Sequence, residues 1–157
     1  MTGRTRPARP TGMTRAMLRA PVLLYRWRLA WLMGSRFLLL EHVGRVSGAV
    51  RRTVLEVVDT DADGHVTVAS GWGPGSQWYR NLLAHPDVTI QVGRRRTPVT
   101  ATFPRGQDAA PALLRYANRH PRSARALFRY MGVQVDGSPE SLRAAAHHVP
   151  WVRFLPR

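Results

Sequence analysis

A chain of 157 residues with 44% hydrophobic content has the length and apolar fraction of one folded domain rather than of a disordered segment. It carries no cysteine, which excludes disulfides, thiolate zinc sites, iron–sulfur clusters and a cysteine nucleophile. The 24 basic residues, all arginine, stand against 9 acids, and the net charge of +15 favours anionic partners: nucleic acid, anionic lipid, or a phosphorylated or carboxylated cofactor.

Residues 1–12 are mostly Arg, Pro, Thr and Gly and read as a disordered basic tail, leaving 13–157 as the single domain. Residues 13–33 have helical texture, with Pro21 as a kink or break. Arg15, Arg19, Arg26 and Arg28 interrupt each apolar run, so neither a signal-peptide core nor a transmembrane stretch of about 20 residues survives. The apolar side (Met17, Leu18, Leu24, Tyr25, Trp31, Leu32) and the Arg15, Arg19, Arg26 face admit two readings. One is a helix packed on the domain. The other is an amphipathic helix in the plane of an anionic membrane. A cytoplasmic protein, peripheral on the inner face of the membrane under the second reading, is the corresponding expectation.

From residue 37 the apolar period changes. Phe37 to Val43 contains a continuous apolar stretch and is predicted as a strand buried on both faces. Arg52 to Asp59 is rich in β-branched residues and predicts its partner. Asp59 to Gly64 is a polar turn; its three aspartates lack the glutamate that would complete an EF-hand, and no metal site is expected. His65 to Ser70 alternates as a strand, Gly71 to Ser76 is a Gly-rich loop, and Gln77 to Ala84 reads as a short helix stopped by Pro86. Strands follow at Val88 to Val92 and Thr97 to Phe103, with the turn in Gly93–Arg96. Helices are predicted over 107–119, 123–131 and 139–146, and a last strand over 149–155. The result is an α+β chain: an antiparallel sheet of five or six strands, curved or closed into a small barrel, with helices at both ends of the sequence.

Two loops carry chemistry. Gly44-Arg45-Val46-Ser47-Gly48, followed by Arg51 and Arg52, has glycines that let backbone N–H groups wrap an anion, and arginines that grip phosphate or carboxylate with paired hydrogen bonds. It is no P-loop, because no Gly-Lys-Ser/Thr ending or helix follows. Alone, it reads more simply as a hairpin turn with solvated arginines. Ala69-Ser70-Gly71-Trp72-Gly73 ends a strand in small residues beside a helix carrying Trp78, Tyr79 and Asn81. Small residues let a planar ligand lie against backbone; core packing for Trp78 and capping for Asn81 are the plain alternatives. His147 and His148 are adjacent and diverge, and no third ligand accompanies them.

Together these strings resemble the deazaflavin (F-420)-dependent nitroreductase family, split β-barrel oxidoreductases related in fold to the FMN-binding flavin-reductase and pyridoxamine-oxidase groups. The pattern Gly-Arg-x-Ser/Thr-Gly, a nearby Arg, Ala-Ser-x-x-Gly, Trp-Tyr-x-Asn-Leu and x-x-Pro falls at Gly44–Gly48, Arg51, Ala69–Gly73, Trp78–Leu82 and Pro86. The resemblance covers residues 37–103 and implies a split barrel that binds the 8-hydroxy-5-deazaflavin coenzyme F-420, with FMN as the alternative. It implies a phosphate loop at Gly44, Arg45, Val46, Ser47, Gly48 and Arg51, a ring segment at Ala69, Ser70 and Gly71, and a completing helix with Trp78 and Asn81. Ser70 is the implied catalytic candidate, to orient the ring or pass a proton. Relatives commonly carry Lys where Val46 and Gly71 stand, and Arg52 is the candidate replacement. Relatives active on nitro compounds place a tyrosine near the position of Glu56, so nitroreduction is not carried over. Trp72, Tyr25, Trp27 and Tyr130 are candidate walls for an acceptor.

The expected function is hydride transfer from the reduced coenzyme to an unsaturated or electron-poor organic acceptor, a small molecule. The alternatives are a non-catalytic deazaflavin carrier or storage protein, and a basic membrane-surface or nucleic-acid-binding module. No specific nucleic acid is expected, since aromatics do not interleave with arginine as in a stacking platform and no reading helix appears. The oligomeric state stays open.

Overall fold

The computed structural model describes residues 34–157; the tail expected over 1–12, the helix expected over 13–33, Tyr25 and Trp27 lie outside them. Seven antiparallel strands and four helices follow in order: β1 (Phe37–Val43), β2 (Val50–Glu56), β3 (Asp59–Thr60), β4 (Val66–Ala69), α1 (Gln77–Ala84), β5 (Asp87–Val92), β6 (Arg95–Thr102), α2 (Gly106–Arg119), α3 (Pro121–Met131), α4 (Pro139–Ala146) and β7 (Trp151–Pro156). The helix over 77–84 and that over 139–146 match the expected bounds. The strand predicted over 52–59 is instead two strands with a corner between them.

That corner explains the architecture. The strand order is β2-β1-β5-β6-β7-β4-β3, so the two edge strands are consecutive in the chain. Between them, Val57 N–H donates to Arg36 O on the β1 side, and Val58 N–H donates to Thr67 O on β4. Two neighbouring residues thus bond to opposite ends of the sheet, which curls the sheet into a split barrel. The same corner sorts side chains. Val57 packs inside the barrel with Leu38, Leu40, Val68 and Phe154. Val58 packs outside it, beneath the helices, with Leu113, Tyr116, Phe128 and Trp151.

β1 does not bury both faces as its apolar run suggests. Leu38, Leu40 and His42 are buried toward the barrel, while Phe37, Leu39, Glu41 and Val43 are half-buried. The two-residue period therefore holds even in a sequence that hides it. Because cross-strand partners share a face, Arg51 opposite His42 points to the barrel side, and Arg52 opposite Glu41 points away. One residue of register separates the two arginines' fates.

The helical layer is tied to the sheet by Asp59. This buried aspartate receives Arg115 Nη2 at 2.6 Å and Arg119 Nη2 at 2.5 Å from successive turns of α2. Burial alone would raise its pKa, but the hydrogen bonds and charges of the two arginines outweigh it and hold the carboxyl below its usual value. The guanidinium groups are half-exposed, which screens the pairs. Asp59→Asn is expected to lower stability by about 1–2 kcal/mol at neutral pH, the scale of exchanging charged for neutral hydrogen bonds. A depressed folded pKa contributes stability above the unfolded value of about 3.9, so the difference between the two proteins should shrink as pH falls below about 4. Urea melts at pH 7 and pH 3 check both parts; an equal gap at both would remove the charge from the account.

Candidate active site

β1 ends at Gly44, where the chain turns tightly. Gly44 N–H donates to Ala49 O at 2.8 Å, Gly48 N–H to Gly44 O at 2.8 Å, and Ala49 N–H to Ser47 Oγ at 3.3 Å. Gly48 takes a φ of 66°, a value that favours glycine. A Cβ on Gly44 would sit 2.6 Å from Ser47 Oγ and 3.2 Å from Arg51 Nε, so that glycine lets the loop and the Arg51 side chain close over it. The five-residue nest expected from the sequence is therefore smaller: the N–H groups of Gly44, Arg45 and Gly48 are spent internally. Those of Val46 and Ser47 form no hydrogen bond among the described residues.

The loop is held from below by α1. Asn81 Oδ1 accepts from Arg45 N–H at 3.1 Å and from Arg45 Nη1 at 2.9 Å, while Gln77 Oε1 accepts from the same Nη1 at 3.0 Å. Gln77 and Asn81 stand four apart on a helix, hence on one face. That spacing is a signal the sequence offered for Gln77 and that the motif reading passed over. Both acceptors are neutral amides, so they aim the guanidinium without cancelling its charge. No ion pair is formed by Arg45 or Arg51 among the described residues, whereas Arg52 pairs with Glu41 at 2.8 Å on the outer face, where Arg96 joins it. Gly44, Arg45, Val46, Ser47, Arg51, Gln77 and Asn81 line a cavity of about 380 Å³ with no carboxylate in its wall. Two uncompensated arginines, free N–H groups and no acid are the donor set of an anion site.

The structure thus gathers most of the predicted loop and leaves Arg52 out, on the opposite face of β2. Val46 belongs to the cavity wall and is otherwise exposed. The lysine position is filled by a side chain that brings no charge, and Arg52 does not reach in to replace it.

The ring segment is joined to the same helix. Ser70 is buried; its N–H donates to Pro150 O at 2.9 Å and its Oγ lies 2.7 Å from both Gly73 O and Ser76 Oγ, next to the start of α1. A hydroxyl has one proton to give. If that of Ser70 goes to Gly73 O, Ser76 donates to Ser70. This geometry gives Ser70 a part in shaping the 70–76 loop and no exposed hydroxyl for passing a proton. Ala69 is half-buried against the helical core, and a Cβ on Gly71 would come within 3.3 Å of Leu127 Cδ1. Trp72 and Tyr130 are partly exposed and meet edge to face, ring centroids 4.8 Å apart, which brings α3 against this segment. Trp78 is buried in the barrel core and meets Tyr79 edge to face, rather than facing the cavity.

Glu56 ends β2 at the far end of the strand from Arg51, where it pairs with Arg36 at 3.2 Å. Burial, and then the charge of Glu56, push the buried Tyr116 hydroxyl well above the usual phenol range. A second, larger cavity of about 640 Å³ includes Arg36, Val57, Ile90 and Val92 and shares no lining residue with the loop cavity. Asp61, Asp63 and His65 come together in the β3–β4 turn, where Asp61 Oδ1 caps the N–H groups of Asp63 and His65.

The curled sheet and helical layer are those of a split barrel. A solved F420-H2 dependent reductase, FDR-A, superposes with a TM-score of 0.54 at 20% identity, covering 76% of this chain and 93% of that one. The chain belongs to the F420H(2)-dependent quinone reductase family, whose model matches residues 28–129, from before β1 into α3. It is 41% identical over 75 residues to the putative F420H(2)-dependent quinone reductase Rv3178 of Mycobacterium tuberculosis, covering 46% of this chain and 62% of that one. It is 37% identical over 102 residues to the F420H(2)-dependent quinone reductase Rv1261c of the same species, covering 56% of this chain and 66% of that one. The match spans just under two thirds of the length of these relatives.

Proposed function

We propose that this protein is an oxidoreductase that binds the reduced deazaflavin coenzyme F-420 and reduces a quinone-type small molecule. The observation that carries the reading is the loop cavity: Arg45 and Arg51 face it without a carboxylate partner, and neutral amides fix Arg45. The coenzyme is a polyanion with one phosphate, and this donor set suits a phosphate. When bound, F-420 supplies a hydride from its ring carbon. The chain supplies grip and shape. Arg45, Arg51 and the Val46 and Ser47 N–H groups hold the anionic end. Ser70 and Ser76 keep the ring segment folded, and Trp72 with Tyr130 offers an aromatic edge on which a flat acceptor can stack. No proton donor is assigned to Ser70.

Among the described residues, no helix is long and apolar enough to cross a membrane. Association of residues 13–33 with an anionic membrane remains part of the proposal and bears on how a lipid-soluble quinone is reached.

The test is a titration with F-420, followed by turnover of the reduced coenzyme in the presence of a short-chain quinone, with FMN as competitor. Binding that weakens with salt, followed by quinone-dependent loss of the reduced coenzyme, is the expected result. Tight F-420 binding without turnover of any quinone would make the protein a carrier. Preference for FMN would overturn the coenzyme assignment.

A further inference from the structure

Behind the anion loop stands a buried histidine that the hydride chemistry does not use. His42 and Asn81 are both nearly inaccessible, 4% and 3% exposed, and His42 Nδ1 lies 3.1 Å from Asn81 Nδ2. The amide orientation of Asn81 is fixed by its other end, where Oδ1 accepts two donors from Arg45. Its Nδ2 can only donate. The imidazole nitrogen facing it must therefore be bare, and the neutral ring carries its proton on Nε2.

We infer that His42 is a positioning residue for the anion loop: as a neutral acceptor it sets the amide of Asn81, which in turn orients the backbone and guanidinium of Arg45. A proton on Nδ1 brings two donors face to face. Turning the amide over relieves that contact but sets its NH2 against the Arg45 donors. Both groups are buried, so water cannot take up the conflict. One proton at His42 therefore costs the loop the Asn81 part of its clamp on Arg45, the backbone bond included, and leaves only Gln77 on the guanidinium. The surroundings keep that proton away. Burial first, and then Arg51 across on β2, hold the imidazole pKa below its usual value. From β5 the inward residues Ile90 and Val88 are apolar, and from α1 the polar group facing it is Asn81. The clamp is complete above the lowered pKa of His42 and is lost as pH falls through it. This inference rests on the reading of the loop as the F-420 anion site, although the clamp itself can be observed without coenzyme.

The experiment combines NMR of the free full-length protein with F-420 titrations from pH 8 to 5. Nitrogen shifts of His42 should report the Nε2–H tautomer. The Arg45 backbone amide and the Asn81 side-chain amide should then move with the same midpoint as the imidazole, below about 6.5. His42→Asn places a non-titrating acceptor oxygen near the Nδ1 position. It should keep the neutral-pH affinity for F-420, while the wild type loses about tenfold relative to it on acidification, the scale of one lost hydrogen bond. The coenzyme's own ionisation is common to both proteins and cancels in that ratio. His42→Leu should bind more weakly at every pH. An Nδ1–H tautomer, an Arg45 amide that stays still while His42 titrates, or parallel pH curves for wild type and His42→Asn would overturn the inference. Absence of F-420 binding in every protein, with the NMR behaviour as expected, would overturn the coenzyme reading alone and leave the clamp standing.

Discussion

Replacing Arg51 with alanine is expected to weaken F-420 binding by about 1.5–3 kcal/mol, the scale of a hydrogen bond to a charged group. Arg52→Ala is expected to leave binding within about 0.5 kcal/mol, as for a surface change away from the site. The two residues are neighbours of identical chemistry, so the contrast isolates geometry from overall charge. Arg51 opposes His42 on the inner face of β2, lies over Gly44 and lines the loop cavity without an ion pair among the described residues. Arg52 opposes Glu41 on the outer face and is bound by it. In a chain of net charge +15, a general electrostatic attraction would lose the same small amount from either substitution. Fluorescence titration of both variants at 150 mM salt decides it. Equal losses would mean that the coenzyme is attracted by the field of the whole protein and not held by this loop.

That contrast also marks how far the sequence could be read. The Gly44–Gly48 loop, the small-residue segment from Ala69 and the helix carrying Asn81 were legible because each combines unusual residue types at fixed spacing. The helix over 77–84 was legible from the Pro86 that stops it, and the strand over 37–43 from its apolar stretch. What was not legible depends on contacts between distant segments. Nothing local says that the β-rich run after Arg52 breaks at Val57 and Val58, because both residues are apolar and β-branched; the break follows from hydrogen bonds to Arg36 and Thr67, on opposite ends of the sheet. Nothing local separates Arg51 from Arg52 either, until the register with β1 is known. Ser70 shows the limit in the other direction. A serine in a ring-binding motif suggests chemistry, yet its hydroxyl is committed to Gly73 O and Ser76. Gln77 was overlooked because a lone glutamine at the start of a helix looks like surface; its meaning comes from sharing a face with Asn81 beneath Arg45.

A large loss of stability is expected at Trp151, in the core beneath the helices. Trp151 opens β7, is 1% exposed, and donates its indole N–H to Ala146 O at 2.9 Å, where α4 ends. Its backbone pairs with Ala69, the last residue of β4, and the preceding Pro150 accepts the Ser70 N–H. One side chain therefore fills the helical core, closes the end of α4 and stands beneath the segment proposed to meet the coenzyme ring. Trp151→Ala should cost about 3–5 kcal/mol, since a buried aromatic is lost and the helices cannot collapse fully into the space. That is a large share of a typical total of about 5–15 kcal/mol. Trp151→Phe retains part of the volume but removes the indole donor, leaving the Ala146 carbonyl only the longer bond from Val149 N–H at 3.4 Å, and should cost about 1–3 kcal/mol. Denaturant midpoints at constant slope measure both. Coenzyme affinity of the folded fraction separates support from contact. If Trp151 acts only through packing, Trp151→Phe will bind F-420 nearly as the wild type does while melting earlier. A loss of affinity larger than the loss of stability would place the Ala69–Gly71 backbone, and not the anion loop alone, in control of binding.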